Sequence, residues 1–393
     1  MNAKSLDLDR DGSLRFQTYQ GWHGLQQLAP EWTTLAESLP GARFFHFPEW
    51  YRAYLSSLES DPARVWFVAA YRDQKLVAIF PLQFQDYRVM GLRPRLFGTI
   101  DDDQMQLYDF VFARTAQNGH LLHALTQWLR TQRNIRWDEL RLRKVPEDSS
   151  IAHAIRVRWP NLTVALRHDG SSYFQTSGTY EHATKAMSGS FKRNLRRLAR
   201  RAEESAPLRF QSYRRPDELG KALDTFVEIE ASGWKGDAGT ASAICCRPAM
   251  LAFYRALVHD FGARDASVIN VLWHGDKAVA GQFCLQIGTT LSILKIGFSH
   301  DHAHFAPGNL LLERTLQRAC EDGGIDIVSL VNQPAWARIF KPVTIGVWSY
   351  CAPNWSVRGG LVHLGLLAKR AWDNLGHLWP LPAKTQADAE GSF

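Results

Sequence analysis

The segment Leu208-Arg209-Phe210-Gln211-Ser212-Tyr213 repeats Leu14-Arg15-Phe16-Gln17-Thr18-Tyr19 with one conservative change. Both copies alternate apolar and polar residues, the pattern of a half-buried strand. A second echo follows at nearly the same separation. Asn118-Gly119-His120-Leu121-Leu122 opens one helical pattern, and Pro307-Gly308-Asn309-Leu310-Leu311 opens another. Each match alone is weak, but two in the same order point to a duplicated unit. At 393 residues the chain also exceeds the length at which one core usually stays single. Two lobes of the same layout are therefore expected.

The second half states that layout more clearly. After the strand, Leu219, Leu223, Phe226, Val227 and Ile229 recur at helical spacing within 217–234. A loop rich in Gly, Ala and Thr over 236–243 leads to a second helix at 247–261. Strands follow at 266–273, 278–287 and 291–298, joined by turns at Gly275-Asp276 and Gly288-Thr289-Thr290. A helix over 309–321, a strand over 325–331, a short helix around Trp336 and a strand near 347–350 complete the half. The order β-α-α-β-β-β-α-β-α-β is an α+β arrangement, a mixed and mostly antiparallel sheet flanked by helices. The first half fits the same order, with helices at 22–39, 49–58 and 119–130, strands at 65–70, 76–84 and 139–142, and a loop at Asp101-Asp102-Asp103. The expected division is a first lobe at 12–175, a connecting helix at 180–206, a second lobe at 207–352, an amphipathic helix at 356–380 and a disordered tail at 381–393.

Composition narrows the class. Hydrophobic residues at 45% and charged residues at 22% suit a globular core. The 14 Trp could line a groove for a sugar or lipid, although core filling is the commoner use. A net charge of +7 favours an anionic partner. The charge is densest where Lys192, Arg193, Arg196, Arg197, Arg200 and Arg201 crowd one side of a helix whose other side holds Phe191, Leu195, Leu198 and Ala202. Such a face is either merely solvated or binds the phosphates of a membrane surface, an acyl carrier protein or tRNA.

Five cysteines without a CxxC pair argue against a disulfide framework or zinc site. Three alternate histidines in His300-Asp301-His302-Ala303-His304 rarely close a tetrahedral zinc site, so no metal is expected. The start of the chain is polar, and no run of about 18 apolar residues occurs. A cytoplasmic protein without a transmembrane segment is expected, at most peripheral at the inner membrane face. Leu361, Leu364, Ala368, Trp372, Leu375 and Trp379 step by three and four beside Arg358, Lys369 and Arg370. That helix either docks on the second lobe or lies in a membrane interface.

Several stretches carry a family likeness: the basic helix 191–198, Ser232-Gly233-Trp234-Lys235-Gly236, Lys295-Ile296-Gly297-Phe298, and Ala306-Pro307-Gly308-Asn309-Leu310-Leu311. With these, the element order resembles the GNAT acyltransferase fold, and its duplication resembles the tandem-GNAT group that includes FemABX-type transferases. Residues 180–345 look like the acetyltransferase domain of CelD-type cellulose and envelope proteins. The first half resembles the family more loosely, through Trp32, Pro48-Glu49-Trp50 and Phe80-Pro81-Leu82.

The resemblance implies acetyl-CoA or a longer acyl-CoA as donor, held by Ile296, Gly297, Phe298, Ala306, Gly308, Asn309 and Leu310. The residues alone allow this. A helix N-terminus offers backbone N–H groups and a positive dipole end, and Gly308 admits a phosphate closely, although an ordinary strand-to-helix turn reads the same way. Lys295 could polarise a thioester carbonyl or be a solvated strand residue. For the base that takes a proton from an attacking amine, Glu230 and a His300–Asp301 pair are candidates beside their reading as plain polar residues. Trp234, Lys235 and Lys341 are assigned to the acceptor. Family members often place a tyrosine before the last of these. Here Phe340 stands there, so a tyrosine general acid is not expected.

The function expected is transfer of an acyl group to an amine, less readily a hydroxyl, of a small-molecule, lipid-linked or sugar-linked acceptor in envelope polysaccharide or lipid precursor biosynthesis. The alternatives are an aminoacyl-tRNA-dependent transferase, a long-chain N-acyltransferase of a lipid amine, and a non-catalytic scaffold of an exopolysaccharide synthase.

Overall fold

The two Leu-Arg-Phe-Gln copies form opposite edges of one continuous sheet. The structure is a computed structural model and describes residues 14–86, 93–114, 118–158, 164–232, 243–354 and 356–376. In chain order the first half contains β1 (Leu14–Gln20), α1 (Gly21–Glu37), α2 (Pro48–Ser57), β2 (Val65–Arg72), β3 (Lys75–Gln85), β4 (Leu96–Gly98), β5 (Val111–Phe112), α3 (Asn118–Thr131), β6 (Glu139–Pro146), α4 (Ser150–Arg158) and β7 (Val164–Gln175). Helices α5 (Tyr180–Ala183) and α6 (Gly189–Glu203) lead to the second half. That half contains β8 (Leu208–Tyr213), α7 (Pro216–Ala231), α8 (Pro248–Gly262), β9 (Ser267–His274), β10 (Lys277–Ile287), β11 (Thr290–Phe298), α9 (Pro307–Asp322), β12 (Ile327–Ser329), β13 (Val343–Pro353) and α10 (Val357–Gly376).

Across the sheet the order is β1-β2-β3-β4-β6-β13-β7-β12-β11-β10-β9-β8, with β5 beside β3. Among the described residues only β4–β6 and β11–β12 pair in parallel. The α+β class and mostly antiparallel mixed sheet are those expected from the sequence. The halves also exchange their last strands. β7 leaves the first half to pair with β12, β13 leaves the second to pair with β6, and the two exchanged strands pair with each other from Val343↔Tyr173 to Cys351↔Val164. Each lobe is thus completed by the other.

Local chemistry accounts for the helices around the site. Pro216 starts α7 with its ring at the first turn, and Asp217 and Glu218 complement the dipole there. Ser188 caps α6, its Oγ accepting from the Phe191 N–H at 3.2 Å. One core joins α1, α2, α7 and α8, where Trp50 and Phe253 meet edge to face across the halves with centroids 5.2 Å apart. A second core lies beneath α6 and α9 and includes Leu195, Leu311 and Leu316. Trp32, Trp50 and Trp137 are fully buried, so core filling accounts for these three.

Three local expectations change. The strand expected over 325–331 contracts to Ile327–Ser329, because Val331 turns into the left-handed region (φ 63°) and Leu330 N–H donates instead to Ser172 O at 2.8 Å. The polar loop at His300 forms a 3-10 turn, His300–Phe305, anchored by the buried Phe305 ring. Helix α10 packs on β13 and β6 with Val362 buried, but Leu361 and Leu364 of the expected apolar stripe are 59% and 62% exposed. Trp379 and the expected tail at 381–393 lie outside the described residues. No described helix is long and apolar enough to cross a membrane.

Candidate functional site

β11 and β12 meet side by side only over Thr290–Ser292 and Ile327–Ser329. Past that point they diverge. The chain after Ser329 bonds to β7, through Leu330 N–H to Ser172 O and Ser172 N–H to Asn332 O at 3.0 Å. The Gln333 Oε1 accepts from Gly170 N–H at 3.3 Å, continuing the same path. β11 meanwhile follows β10 as far as Phe298, with a bulge at Leu294 between the pairs Lys295↔Phe283 and Ile293↔Cys284. Among the described residues no strand pairs with the β12-facing edge of β11 beyond Ser292. The result is a wedge that opens toward the carboxyl ends of two parallel strands.

Alternation distributes the wall residues. Gly297 faces α7, and the Glu230 backbone presses against it: a β-carbon on Gly297 would stand 2.9 Å from Glu230 Cα. Lys295 shares that face. Ile296 and Phe298 face the other way, where the Phe298 ring lies beside Gly308, 3.5 Å from the place its β-carbon would take. Glu230 is 3% exposed, and its Oε2 accepts from Ile244 N–H at 2.8 Å. The structure therefore brings Glu230, Lys295, Gly297, Phe298 and Gly308 around one wedge.

At its mouth, Ala306 takes a left-handed conformation (φ 51°, ψ 57°) that turns the chain sharply into α9. Pro307 occupies the first helical position and Gly308 the second. The N–H groups of Asn309 and Leu310 turn inward to Ala306 O at 3.0 and 3.2 Å, and the Leu310 side chain is buried in the core. These two residues build the mouth more than they line it. His300 and Asp301 are exposed at the start of the preceding turn. Lys341 is exposed at the left-handed end of a 3-10 turn, Ala335–Phe340, whose Phe340 ring packs on Phe174 and Phe191. Trp234 and Lys235 lie outside the described residues.

Two further features went unread in the sequence. Tyr254, from α8, donates to Gln104 Oε1 of the other half at 3.0 Å. Burial raises the Tyr254 phenol well above its usual range, and the nearby charges of Glu230 and Asp102 add to the effect. Asp102, in the acidic run read as a loop, is raised by burial, while Lys144 Nζ donates to its carbonyl at 2.8 Å. No spacing rule links positions so far apart in the chain. The basic face of α6 does follow the sequence. Phe191, Leu195 and Ala202 are buried, Arg193, Arg196, Arg197, Arg200 and Arg201 are exposed, and the helix packs against α9 and the 300–305 turn. Burial pushes the Cys284 and Cys320 thiols up, which disfavours the thiolate form a nucleophile would need.

The matching position in the first half is sealed. Beyond the β4–β6 pairing, Thr99 N–H donates to Arg141 O at 3.1 Å, and Thr99 Oγ1 accepts from Arg143 N–H at 2.8 Å. Tyr108 N–H then donates to Lys144 O at 2.9 Å. The strands stay bridged where β11 and β12 part.

Residues 189–335 match the family described as acetyltransferase (GNAT) domain. None of the curated proteins compared with the chain matches it. Among solved structures the chain is similar to FemX, at 9% identity and a TM-score of 0.58 over 86% of this chain and 98% of that one. It is also similar to the C-terminal DUF2156 domain of a protein described as a lysylphosphatidylglycerol synthetase from Agrobacterium fabrum. Identity there is 12% and the TM-score 0.52, over 88% of this chain and 96% of that one. At such identities the likeness concerns the fold. Residues 189–335 are thus similar to a GNAT acetyltransferase domain, and the fold of the whole chain is GNAT-like.

Proposed function

We propose that this chain transfers an acyl group from acyl-CoA to a primary amine, with the thioester held in the wedge between β11 and β12. The observation that carries the reading is the divergence of those strands after three paired residues. The exposed edge of β11 offers backbone N–H and C=O groups to the amide-bearing arm of the donor. Gly308, at the second position of α9, lets a diphosphate approach the positive end of the helix dipole. Gly308 leaves room beside the helix start that a side chain would occupy, and Gly297 lets α7 pack directly against β11.

In the reaction the amine nitrogen bonds to the thioester carbon, the C–S bond breaks, and the sulfur leaves to take up a proton. Glu230 is the preferred base for the amine proton, with His300 and Asp301 at the entrance as the second candidate. Lys295 and the β11 amides stabilise the developing oxyanion. Trp234, Lys235 and Lys341 contact the acceptor, whose class is an envelope polysaccharide or lipid precursor amine reached from the cytoplasmic side. The first lobe, 12–175, completes the acceptor groove.

One observation favours a second reading. The exposed cations of α6 stand beside α9 and the 300–305 turn, a placement that would suit the backbone of an aminoacyl-tRNA donor. FemX and the synthetase domain are structural neighbours consistent with a donor or acceptor of that kind. Thermal shift with acetyl-CoA, palmitoyl-CoA and charged tRNA separates the readings. Stabilisation by an acyl-CoA is expected. Stabilisation by charged tRNA alone, lost steeply with salt, selects the second reading, and binding of none leaves a scaffold.

A further inference from the structure

Helix α6 turns a band of positive charge away from the body of the protein. At about 100° per residue, the buried Phe191, Leu195 and Ala202 fall within an arc of about 40°. The exposed Arg193, Arg196, Arg197, Arg200 and Arg201 fall within about 140°, centred on the opposite side. Arg196 Nε donates to Lys192 O at 3.3 Å and Arg197 Nη2 to Asn194 Oδ1 at 2.8 Å, so these two bond within their own helix. Among the described residues no carboxylate lies within ion-pair distance of any of the five. Glu203 and Glu204 follow at the far end, which weights the charge toward the start of the helix. Like charges three and four residues apart repel one another. The fold gains nothing from this arrangement, and an external polyanion relieves it.

The neighbouring surface distinguishes which polyanion. The 3-10 turn Ala335–Phe340 is pinned to the start of α6 by Phe340, whose ring meets Phe191 edge to face with centroids 5.0 Å apart. Around that anchor the chain faces outward. Arg338 and Lys341 are exposed, and the aliphatic side chains of Ile339 and Val343 are 49% and 46% exposed. Cations interspersed with aliphatic tips match the interface of an anionic bilayer. There guanidinium groups meet headgroup phosphates while aliphatic side chains enter the boundary with the acyl chains. A nucleic acid offers the phosphates without the hydrocarbon. Ile339 and Val343 have no ring to stack on a base, so RNA would leave them in water.

We propose that the outward face of α6, together with the exposed residues of 338–343, docks the chain on a membrane surface rich in anionic phospholipid. Because α6 packs against α9 and the 300–305 turn, the docked chain holds the mouth of the donor wedge near the headgroups. The docking depends on this surface alone. Vesicle binding without any donor therefore tests it apart from acyl transfer, and loss of acyl-CoA binding would leave it intact.

Co-sedimentation of the full chain with vesicles of phosphatidylglycerol and phosphatidylcholine in equal parts, set against vesicles of phosphatidylcholine alone, is the experiment. Binding to the first and not to the second is expected, weakening as added salt shortens the screening length. Arg196→Glu combined with Arg200→Glu is expected to weaken binding by about tenfold or more. Ile339→Ser combined with Val343→Ser leaves the charge unchanged and is expected to weaken it by about tenfold through lost apolar insertion. All four side chains are exposed, so both double variants should melt near the parent temperature. Either pair decides the matter should the other fail to fold. Equal binding to the two kinds of vesicle would overturn the proposal, as would undiminished binding in the serine pair. Tighter binding to uncharged tRNA than to the mixed vesicles at equal phosphate concentration, unaffected by the serine pair, would give this face to RNA instead.

Discussion

Glu230 lies with its backbone against the open face of Gly297, so close that a β-carbon on the glycine would stand 2.9 Å from Glu230 Cα and 3.0 Å from Glu230 Cβ. Those atoms belong to a buried helix and cannot swing aside. Gly297→Ala must therefore push β11 and α7 apart. Overpacking of this kind costs about 1–3 kcal/mol. Because the strain falls on the wedge wall, acyl-CoA affinity is expected to drop along with the melting temperature. Calorimetric titration and a thermal melt read the two effects.

Glu230 itself allows a cleaner test. Its Oε2 accepts from Ile244 N–H, and glutamine keeps an oxygen able to do the same. Glu230→Gln is therefore expected to fold with nearly unchanged stability while kcat falls by roughly 10²–10⁴, the loss expected of a general base. Steady-state kinetics beside a thermal melt checks this. A fall in kcat of less than about threefold would move the role to His300.

Gly308→Glu should split two properties that usually move together. An acidic side chain in the first turn of α9 favours the helix dipole by about 0.3–1 kcal/mol. The neighbouring Phe298 ring leaves it ordinary contact distance, at 3.5 Å. The same charge would meet the donor diphosphate, and like-charge contact costs several kcal/mol. A chain at least as stable as the parent, yet without measurable CoA binding by titration calorimetry, is expected. Retained binding would take the diphosphate away from this helix.

The buried pair His46 and Asp109 sets opposing pH dependences. The imidazole is depressed to about 3, so its contribution to stability is lost as pH falls below the ordinary histidine range toward 3. The Asp109 carboxyl is raised by burial to about 6, so its contribution is full below its unfolded value of 3.8 and is lost as pH rises through 6. Between 3.8 and 6 the two slopes, each about 1.4 kcal/mol per pH unit at most, oppose one another. Asp109→Asn removes one of them. Urea titrations at pH 6.5 and 4.5 are expected to show the variant losing more stability on acidification than the parent.

The exchanged strands predict one folding unit. Ending the chain after residue 342 removes β13, leaving β6 and β7 each without a partner on one side. Both halves should then lose cooperative unfolding, including the first half, whose own residues are untouched. The full chain should unfold in a single urea transition by tryptophan fluorescence. A truncated chain that keeps one sharp transition would show the lobes to be independent.

The sequence by itself determined the local pieces. Alternation in the two Leu-Arg-Phe-Gln segments, helical spacing from Leu219 to Ile229, the charged face of α6 and the Ala-Pro-Gly helix start are set by interactions within a few residues, and all appear where expected. Only the tertiary structure decided that the repeats are the two edges of one sheet, that β7 and β13 change lobes, and that Glu230 backs Gly297. It also decided that the first-half wedge is sealed by Thr99 and Tyr108 while His46 meets Asp109 beyond it. The reason is physical. Strand partners and buried polar pairs are chosen by the free energy of packing the whole chain, and periodicity carries no record of which distant edge will be left unpaired.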